Sequence, residues 1–468
     1  MMLIFLLAGP FSLGFLALAL RSQARIFTFA TILANLSCLL YAYLNKIQVF
    51  RALWLPQWGV EIHLELDGLS FALILTAHLM ALMAAWGSGH IENKQGLFYA
   101  NLLWLLTGVI GILMSFDLLL FFIFWELMII PIYLACVLWG GPKSSLASMQ
   151  FLIFTQVSGL IMLVAILGLY FVHYAQSGAY TFDFLLLLNT KLDISLQVLL
   201  LCGFLVAFLV KLPALGFHVW LPTLFESCPL GLILVGIMIK TGAYGILRFA
   251  LPLFPDAIVL IAPYMMLWGG AGIIYGALLA FSQSDIRKIL AYATISHMGV
   301  VLMALFSQST FAYNGVVILL ITEALSTGGL LLLFSRFNFV RLEQLGGLWT
   351  QAPKVGVIAL CFIMSSVGLP FLGNFVGEYM SLVGIFASSK IAAAIMCMGI
   401  ILSAVYYLRL MQKIFFGPPP SSPTSLGVSE LNIFQSMLFG GIISLLLFIG
   451  LYPSLLLSVL AQTTSLLE

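Results

Sequence analysis

Five ionisable side chains stand well inside apolar stretches of this sequence: Glu126, Lys211, Lys240, Glu323 and Glu378. His218 and His297 lie nearer the ends of such stretches. A charged group at mid-bilayer costs about 2.5 to 3.5 kcal/mol on insertion scales, so five facing lipid would cost on the order of 15 kcal/mol. They are therefore expected to face one another or water. Acids and amines held that way can pass protons. A carboxylate about 4 Å from an ammonium contributes roughly 4 kcal/mol at an effective dielectric of about 20, and when such a partner withdraws, burial favours the neutral amine. Glu126, in FWELMIIP, is the expected partner of Lys211. Lys240, in GIMIKTGAYG, has small neighbours that leave room for the water a relay needs. His218 and His297 could carry protons between stations. Each feature has a plainer reading: a static buried ion pair, a side chain snorkelling to the interface, or a histidine hydrogen-bonded at a helix end. Asp285, Arg287 and Lys288, in FSQSDIRK, read as surface or capping charges.

The stretch 205–222, LVAFLVKLPALGFHVWLP, must position the central lysine. Pro213 removes a backbone donor and clashes with the preceding turn, so a helix here should break beside Lys211. Broken spans are tolerated only where they line protein or a watery cavity. The pattern returns after 157 residues: Val210, Leu212, Pro213, Leu215, Gly216 and Val219 correspond to Val367, Leu369, Pro370, Leu372, Gly373 and Val376. Paired interruptions of this kind in two halves of a chain point to a transport pathway. The copies differ in charge, with Gly368 opposite Lys211 and Glu378 opposite Leu221.

With 63% apolar and 7% charged residues and a mean hydropathy of +1.18, the 468-residue chain could not assemble a soluble surface. It is expected to be an all-α integral membrane protein in the lipid bilayer. Segments long enough to cross fall at about 2–20, 26–43, 69–87, 97–115, 117–139, 147–173, 195–222, 229–251, 256–281, 285–305, 309–335, 353–384, 389–416 and 433–459, fourteen in all. They form a single polytopic domain over 1–468, and the first reads as a retained span rather than a signal peptide. Of the eighteen basic residues, eleven fall in loops after odd spans and five, among them Arg51 and Arg248, in loops after even spans. Both termini should then lie on the non-cytoplasmic side. A net charge of +2 with no long basic run excludes nucleic acid as a partner. The six cysteines contain no CxxC, which argues against a metal site, an iron–sulfur cluster or a disulfide framework.

These motifs resemble those of the antiporter-like membrane subunits of respiratory complex I, most closely the M type of NADH:quinone oxidoreductase, equivalent to mitochondrial subunit 4. The likeness runs from Asp67-Gly68-Leu69-Ser70 onward through FWELMIIPIY, VKLPALGFHVWLP, GIMIKTGAYGILRF, AFSQSDIRKILAYATISHMG and GNFVGEY. It implies fourteen spans, two inverted five-helix repeats over 97–251 and 256–416, and broken helices seven and twelve. Glu126 and Lys211 match the family's Glu/Lys pair, Lys240 its central lysine, and Glu378 the acid that closes the channel in M-type subunits. Two departures stand out. The loop 223–229 lacks the family's histidine and has its glutamate displaced, and Glu323 stands where a histidine is usual.

The resemblance implies a proton-translocating subunit of a proton-pumping NADH:quinone oxidoreductase in the bacterial inner membrane, a hetero-oligomer with other membrane subunits. The chain would carry no cofactor, with NADH, FMN, iron–sulfur clusters and quinone in partner subunits. The rival readings are a cation/proton antiporter subunit, an ion-coupled subunit of an inorganic-carbon uptake complex, and a scaffold that no longer transports.

Overall fold

In lipid each backbone N–H and C=O has to be satisfied within the protein, which makes helices the economical solution for sequence this apolar. The computed structural model describes residues 1–228, 232–337, 341–418 and 430–461. The helices are α1 (Met2–Leu20), α2 (Ala24–Leu44), α3 (Gly68–Gly87), α4 (Gln95–Met114), α5 (Leu118–Leu127), α6 (Ile129–Trp139), α7 (Ser144–Ser177), α8 (Phe184–Leu187), α9 (Ile194–Lys211), α10 (Trp220–Ser227), α11 (Leu232–Gly245) and α12 (Leu251–Leu253). They continue as α13 (Pro255–Ser282), α14 (Ile286–Leu305), α15 (Thr310–Phe334), α16 (Leu348–Gln351), α17 (Pro353–Ser366), α18 (Gly373–Ser388), α19 (Lys390–Met411), α20 (Ile433–Leu451) and α21 (Pro453–Leu460).

Twelve helical stretches among the described residues are long and apolar enough to cross a membrane, and they match twelve of the fourteen expected spans. The other two differ for local reasons. The eighth begins at 229–231, outside the described residues, and its end opens into a π-helix over Ile246–Ala250. The twelfth is split into α17 and α18. Helix seven is broken as expected, since α9 stops at Lys211 and helix resumes at Trp220.

The chain forms two compact units. The first comprises Met1–Leu212, Ser227–Ile261 and the chain from Val459. In it α7 packs on α9, and α11 packs on α3, α4 and α9. It also holds an antiparallel hairpin, β1 (Val49–Leu55) and β2 (Val60–Glu65), within the long connection after the second span. Gly59 turns the hairpin with φ of 64° and lies so close to the Tyr180 carbonyl that no side chain would fit.

The second unit comprises Pro213–Glu226 and Ala262–Ser458. There α15 and α18 meet backbone to backbone: a Cβ on Gly377 would stand 2.8 Å from Leu319 N, and one on Gly315 2.8 Å from Ser381 N. Small residues at such crossings replace the hydrophobic drive that lipid cannot supply.

Aspartates begin many of these helices. Asp67, Asp117, Asp183, Asp193 and Asp285 each accept a backbone N–H from the first turn of α3, α5, α8, α9 and α14. Each such cap contributes about 1 kcal/mol. Asp285 is thus the capping charge its motif suggested, and Lys288 and Arg287 reach back to Glu226, the first by a 3.0 Å ion pair and the second to its carbonyl.

Candidate functional site

In the first unit, span five is interrupted at Met128. Pro131 has no N–H to offer the Leu127 carbonyl, and the Met128 N–H reaches Phe124 O at 3.4 Å. Glu126 sits on this loosened turn. Gln156 of α7 hydrogen-bonds its side chain, and its buried Oε1 has no hydrogen-bond partner among the described residues. Gly159 shapes the recess, since a Cβ there would overlap Oε1. Lys211 is fully buried as the last residue of α9, where an ammonium meets the negative end of the helix dipole. Its Nζ donates to Trp125 O at 3.2 Å and lies 4.2 Å from the centre of the Trp125 indole. A desolvated cation over an indole gains about 2 kcal/mol. Glu126 and Lys211 interact electrostatically, so carboxylate, indole and ammonium form one cluster.

Lys240 is buried on α11. Two glycines bring its helix onto α9: a Cβ on Gly242 would stand 2.7 Å from Leu212 N, and one on Gly245 2.7 Å from Phe208 Cδ1. The glycine face of α11 thus lies against the helix that carries Lys211.

In the second unit Glu378 is buried in α18, with Oε1 3.8 Å from Nδ1 of the buried His297 on α14. The break before α18 comes close to the carboxylate. Gly368, at φ 80°, has no room for a Cβ because Glu378 Oε2 occupies it. Phe371 is held at φ 79°, a left-handed conformation that costs a non-glycine residue about 1 to 2 kcal/mol. Glu323 is buried on α15 and accepts from Thr327 Oγ1 at 3.3 Å. Ser326, one turn from Glu323, is 3.5 Å from Asn374 Nδ2, and Asn374 Oδ1 accepts from Ser365 Oγ at 3.2 Å. A line of small polar groups therefore runs from the Glu323 turn of α15 to the turn of α18 that precedes Glu378. His218 meets the Gly216 amide at 3.2 Å and the Tyr275 ring at 5.1 Å.

Residues 115–403 match the family described as NADH:quinone oxidoreductase/Mrp antiporter, transmembrane. The chain belongs to this family. Members similar to it include NADH-quinone oxidoreductase subunit M of Pseudomonas aeruginosa, 41% identical over 88% of this chain and 83% of that one. The subunit M of Escherichia coli K12 is 40% identical over 86% of this chain and 81% of its own length. Among solved structures, a chain of respiratory complex I from Thermus thermophilus with bound NADH superposes with a TM-score of 0.90 at 30% identity, covering all of both chains.

As a member of the antiporter family the chain holds two charged clusters that its motifs did not reveal. Arg248 had been placed in a loop. It is 4% exposed inside the π-turn of span eight and pairs with Asp67 at 2.5 Å. The sequence signal was present in GILRF, where apolar residues flank the arginine on both sides. The other cluster joins the hairpin to α8. His63 is fully buried, with Nδ1 2.6 Å from Asp183 Oδ2 and Nε2 2.8 Å from Glu65 Oε1. Burial works to lower the His63 pKa, but the two carboxylates outweigh it and hold the pKa above its ordinary value. Burial likewise opposes the charge on Asp183, yet His63, the Leu186 amide and Arg51 together depress its pKa. Burial dominates at the neighbouring Asp117 and pushes it up to about 6 despite three backbone amides. No spacing along the chain links residues 63 and 183, so this pairing had no signal in the sequence.

Proposed function

We propose that this chain is a proton-translocating, antiporter-like subunit of a proton-pumping NADH:quinone oxidoreductase. The observation that carries the proposal is the cluster of half-buried Glu126 with buried Trp125 and Lys211 at two helix interruptions, in a family member about 40% identical to bacterial M subunits. An ammonium there is balanced by a carboxylate that has a lone pair to spare and a glycine recess to move in. Lys211 loads a proton under the control of Glu126 and passes it through water to Lys240. The proton then travels by way of Glu323 or His297 and is released at Glu378, with His218 an auxiliary carrier. Electron transfer belongs to the partner subunits, which hold NADH, FMN, iron–sulfur clusters and quinone; this chain supplies the proton route and is driven by its membrane neighbours. Its two inverted repeats, 97–251 and 256–416, carry the two halves of that route. The chain sits in the bacterial inner membrane with both termini on the non-cytoplasmic side. Removing the buried Arg248 from the loop count supports that orientation, leaving eleven basic residues against four.

The test is proton pumping by the assembled complex in liposomes. Lys211→Ala and Glu126→Gln should abolish acidification while quinone reduction continues at a rate no longer sensitive to uncouplers. Normal pumping by both variants would refute the proposal. Sodium-dependent transport by the chain without redox partners would replace it with the cation/proton antiport that the family description also covers.

A further inference from the structure

The proposed route leaves a buried cation of the first unit unexplained. Arg248 stands where α11 gives way to the π-turn Ile246–Ala250, and Lys240, Tyr244 and Arg248 follow one another at four-residue intervals. In a straight α-helix each such step drifts about 40° around the axis. The wider π-turn absorbs the drift, and π-turns inside α-helices frequently mark functional sites. Arg248 Nε consequently donates to Tyr244 Oη at 3.3 Å. The guanidinium pairs with Asp67 at 2.5 Å, lies 3.5 Å from Ser70 Oγ, and sits 5.0 Å from the centre of the Phe116 ring. The hydroxyls of Tyr244 and Ser70 both donate to the Leu113 carbonyl, at 3.0 and 2.5 Å.

This cluster is polar and continuous, yet it is badly suited to passing a proton. A guanidinium keeps its protons at any working pH. Both hydroxyl protons are committed to a backbone carbonyl, which accepts a hydrogen bond but hands nothing on. A fixed positive charge also raises the energy of any cation that approaches it, the device by which pores exclude protons.

We infer that Arg248, clamped by Asp67, Tyr244 and Ser70, is an electrostatic seal that stops protons carried at Lys240 from leaving past the Asp67 end of the first unit. The inference rests on the proposed role of Lys240 as a proton carrier. Arg248 is then a positioning residue: it touches no proton in transit and fixes the direction of travel. Asp67 balances the guanidinium in the wild type, so the magnitude is read as a difference: removing the guanidinium alone uncovers the Asp67 carboxylate, a unit change in charge two helical turns away, about 12 Å, that raises proton occupancy at Lys240 on the order of tenfold at an effective dielectric of about 20.

The experiment uses the assembled complex in liposomes with the wild-type chain, Arg248→Gln, Arg248→Lys and Tyr244→Phe. Passive proton flux is read with a pH dye after an acid jump, without electron donor, and pumping is read in the same vesicles after NADH and quinone are added. The seal predicts that Arg248→Gln raises passive flux on the order of tenfold while Arg248→Lys, which keeps the charge, stays near wild type. Adding Lys240→Ala to Arg248→Gln should return the flux to baseline, because the leak runs through Lys240. Tyr244→Phe should pump and leak like wild type. Unchanged flux in Arg248→Gln, a leak that survives Lys240→Ala, or lost pumping in Tyr244→Phe would each overturn the seal, the last by making the cluster a relay. If Arg248→Gln fails to assemble, Arg248→Lys and Tyr244→Phe decide: pumping with wild-type passive flux in both supports the seal, and lost pumping or a leak in either overturns it. Failure of the underlying route has a different signature, namely normal pumping by Lys211→Ala.

Discussion

Gly159→Ala moves the Glu126 carboxylate without removing it. The new Cβ would occupy the place of Glu126 Oε1, lie 3.3 Å from Cδ and come 3.6 Å from Trp125 Cδ1. The carboxylate is the end of a flexible side chain, so it yields by about 1 Å, the usual consequence of overfilling a packed site. At a separation of about 5 Å, drawing opposite charges about 1 Å further apart loses roughly 0.5 kcal/mol at an effective dielectric of about 20, or about 2.5-fold in any equilibrium their attraction governs. Glu126→Gln removes the whole attraction, roughly 3 kcal/mol, or about two decades. Proton pumping per quinone reduced should therefore fall about 2.5-fold in Gly159→Ala and be nearly abolished in Glu126→Gln, with assembly and quinone reduction kept in both. Gly168→Ala is the control on the same helix, because its Cβ crowds Leu200 Cδ2 at 2.8 Å and meets no charge. The assay is dye-monitored acidification of liposomes holding the assembled complex. Wild-type pumping in Gly159→Ala, or a loss no larger than that of Gly168→Ala, would refute the claim that the position of Glu126 controls Lys211.

Gly368→Ala combines overlap with Glu378 Oε2 and a φ of 80°, so it should cost about 1 to 2 kcal/mol in backbone strain alone and reduce both assembled yield and pumping; a yield and pumping rate equal to wild type would contradict this. Asp285→Ala removes the N-cap of α14 and should lower stability by about 1 kcal/mol in thermal unfolding of the complex. Lys288→Met breaks a partly exposed pair with Glu226, should change stability by less than about 1 kcal/mol, and should leave pumping intact. The His63 cluster carries a pH dependence. His63 has a raised pKa, so its contribution is complete below about 6.5 and fades as pH climbs through the raised value; the depressed Asp183 contributes above about 3.9 and fades as pH falls through its lowered value. Amide exchange across β2 and 183–187, corrected for intrinsic rates, should quicken as pH climbs above about 6.5, and His63→Gln should remove that limb while leaving the one that the raised Asp117 gives as it ionises between about 3.9 and about 6.

What could be read from the sequence was what the bilayer dictates locally. Apolar length marks a span, and proline marks a break, so the interruption after Lys211 and the split before Gly373 were both legible. The depth of Glu126, Lys211, Lys240, Glu323 and Glu378 was legible too, because a charge flanked by apolar residues over several turns has nowhere else to go. Partners were another matter. Trp125 beneath Lys211, Gln156 beside Glu126 and His297 beside Glu378 depend on which helices pack together, and no spacing along the chain encodes that. Arg248 was missed for a related reason: a cation near the end of an apolar stretch reads as a loop residue unless the acid that neutralises it is known, and Asp67 lies 181 residues away.

The repeated break motif shows how far sequence symmetry carries into backbone. Pro213 and Pro370 occupy equivalent positions, yet helix resumes at Trp220 in the first copy and at Gly373, the equivalent of Gly216, in the second. Left-handed backbone falls at Gly216 in one copy and at Gly368 and Phe371 in the other. The difference follows the charge. In the first copy the charge, Lys211, ends the helix before the break, where an ammonium suits the helix C-terminus, and the chain beyond it runs through turns, with the Phe217 N–H on Ala214 O, until helix resumes. In the second copy the charge, Glu378, follows the break, and the chain tightens at Gly368 until its backbone walls the carboxylate. Of the charges inside the spans, Glu126, Lys211, Arg248 and Glu378 each stand at or beside an interrupted helix, while Lys240 and Glu323 sit mid-helix. An interruption lets a turn shift without unfolding the helix, so a charge beside one can change its partner at low cost. On the proposed route Glu126, Lys211 and Glu378 are thus the places where movement of a neighbouring subunit would alter proton affinity, while the guanidinium of Arg248 keeps its proton whatever its partner.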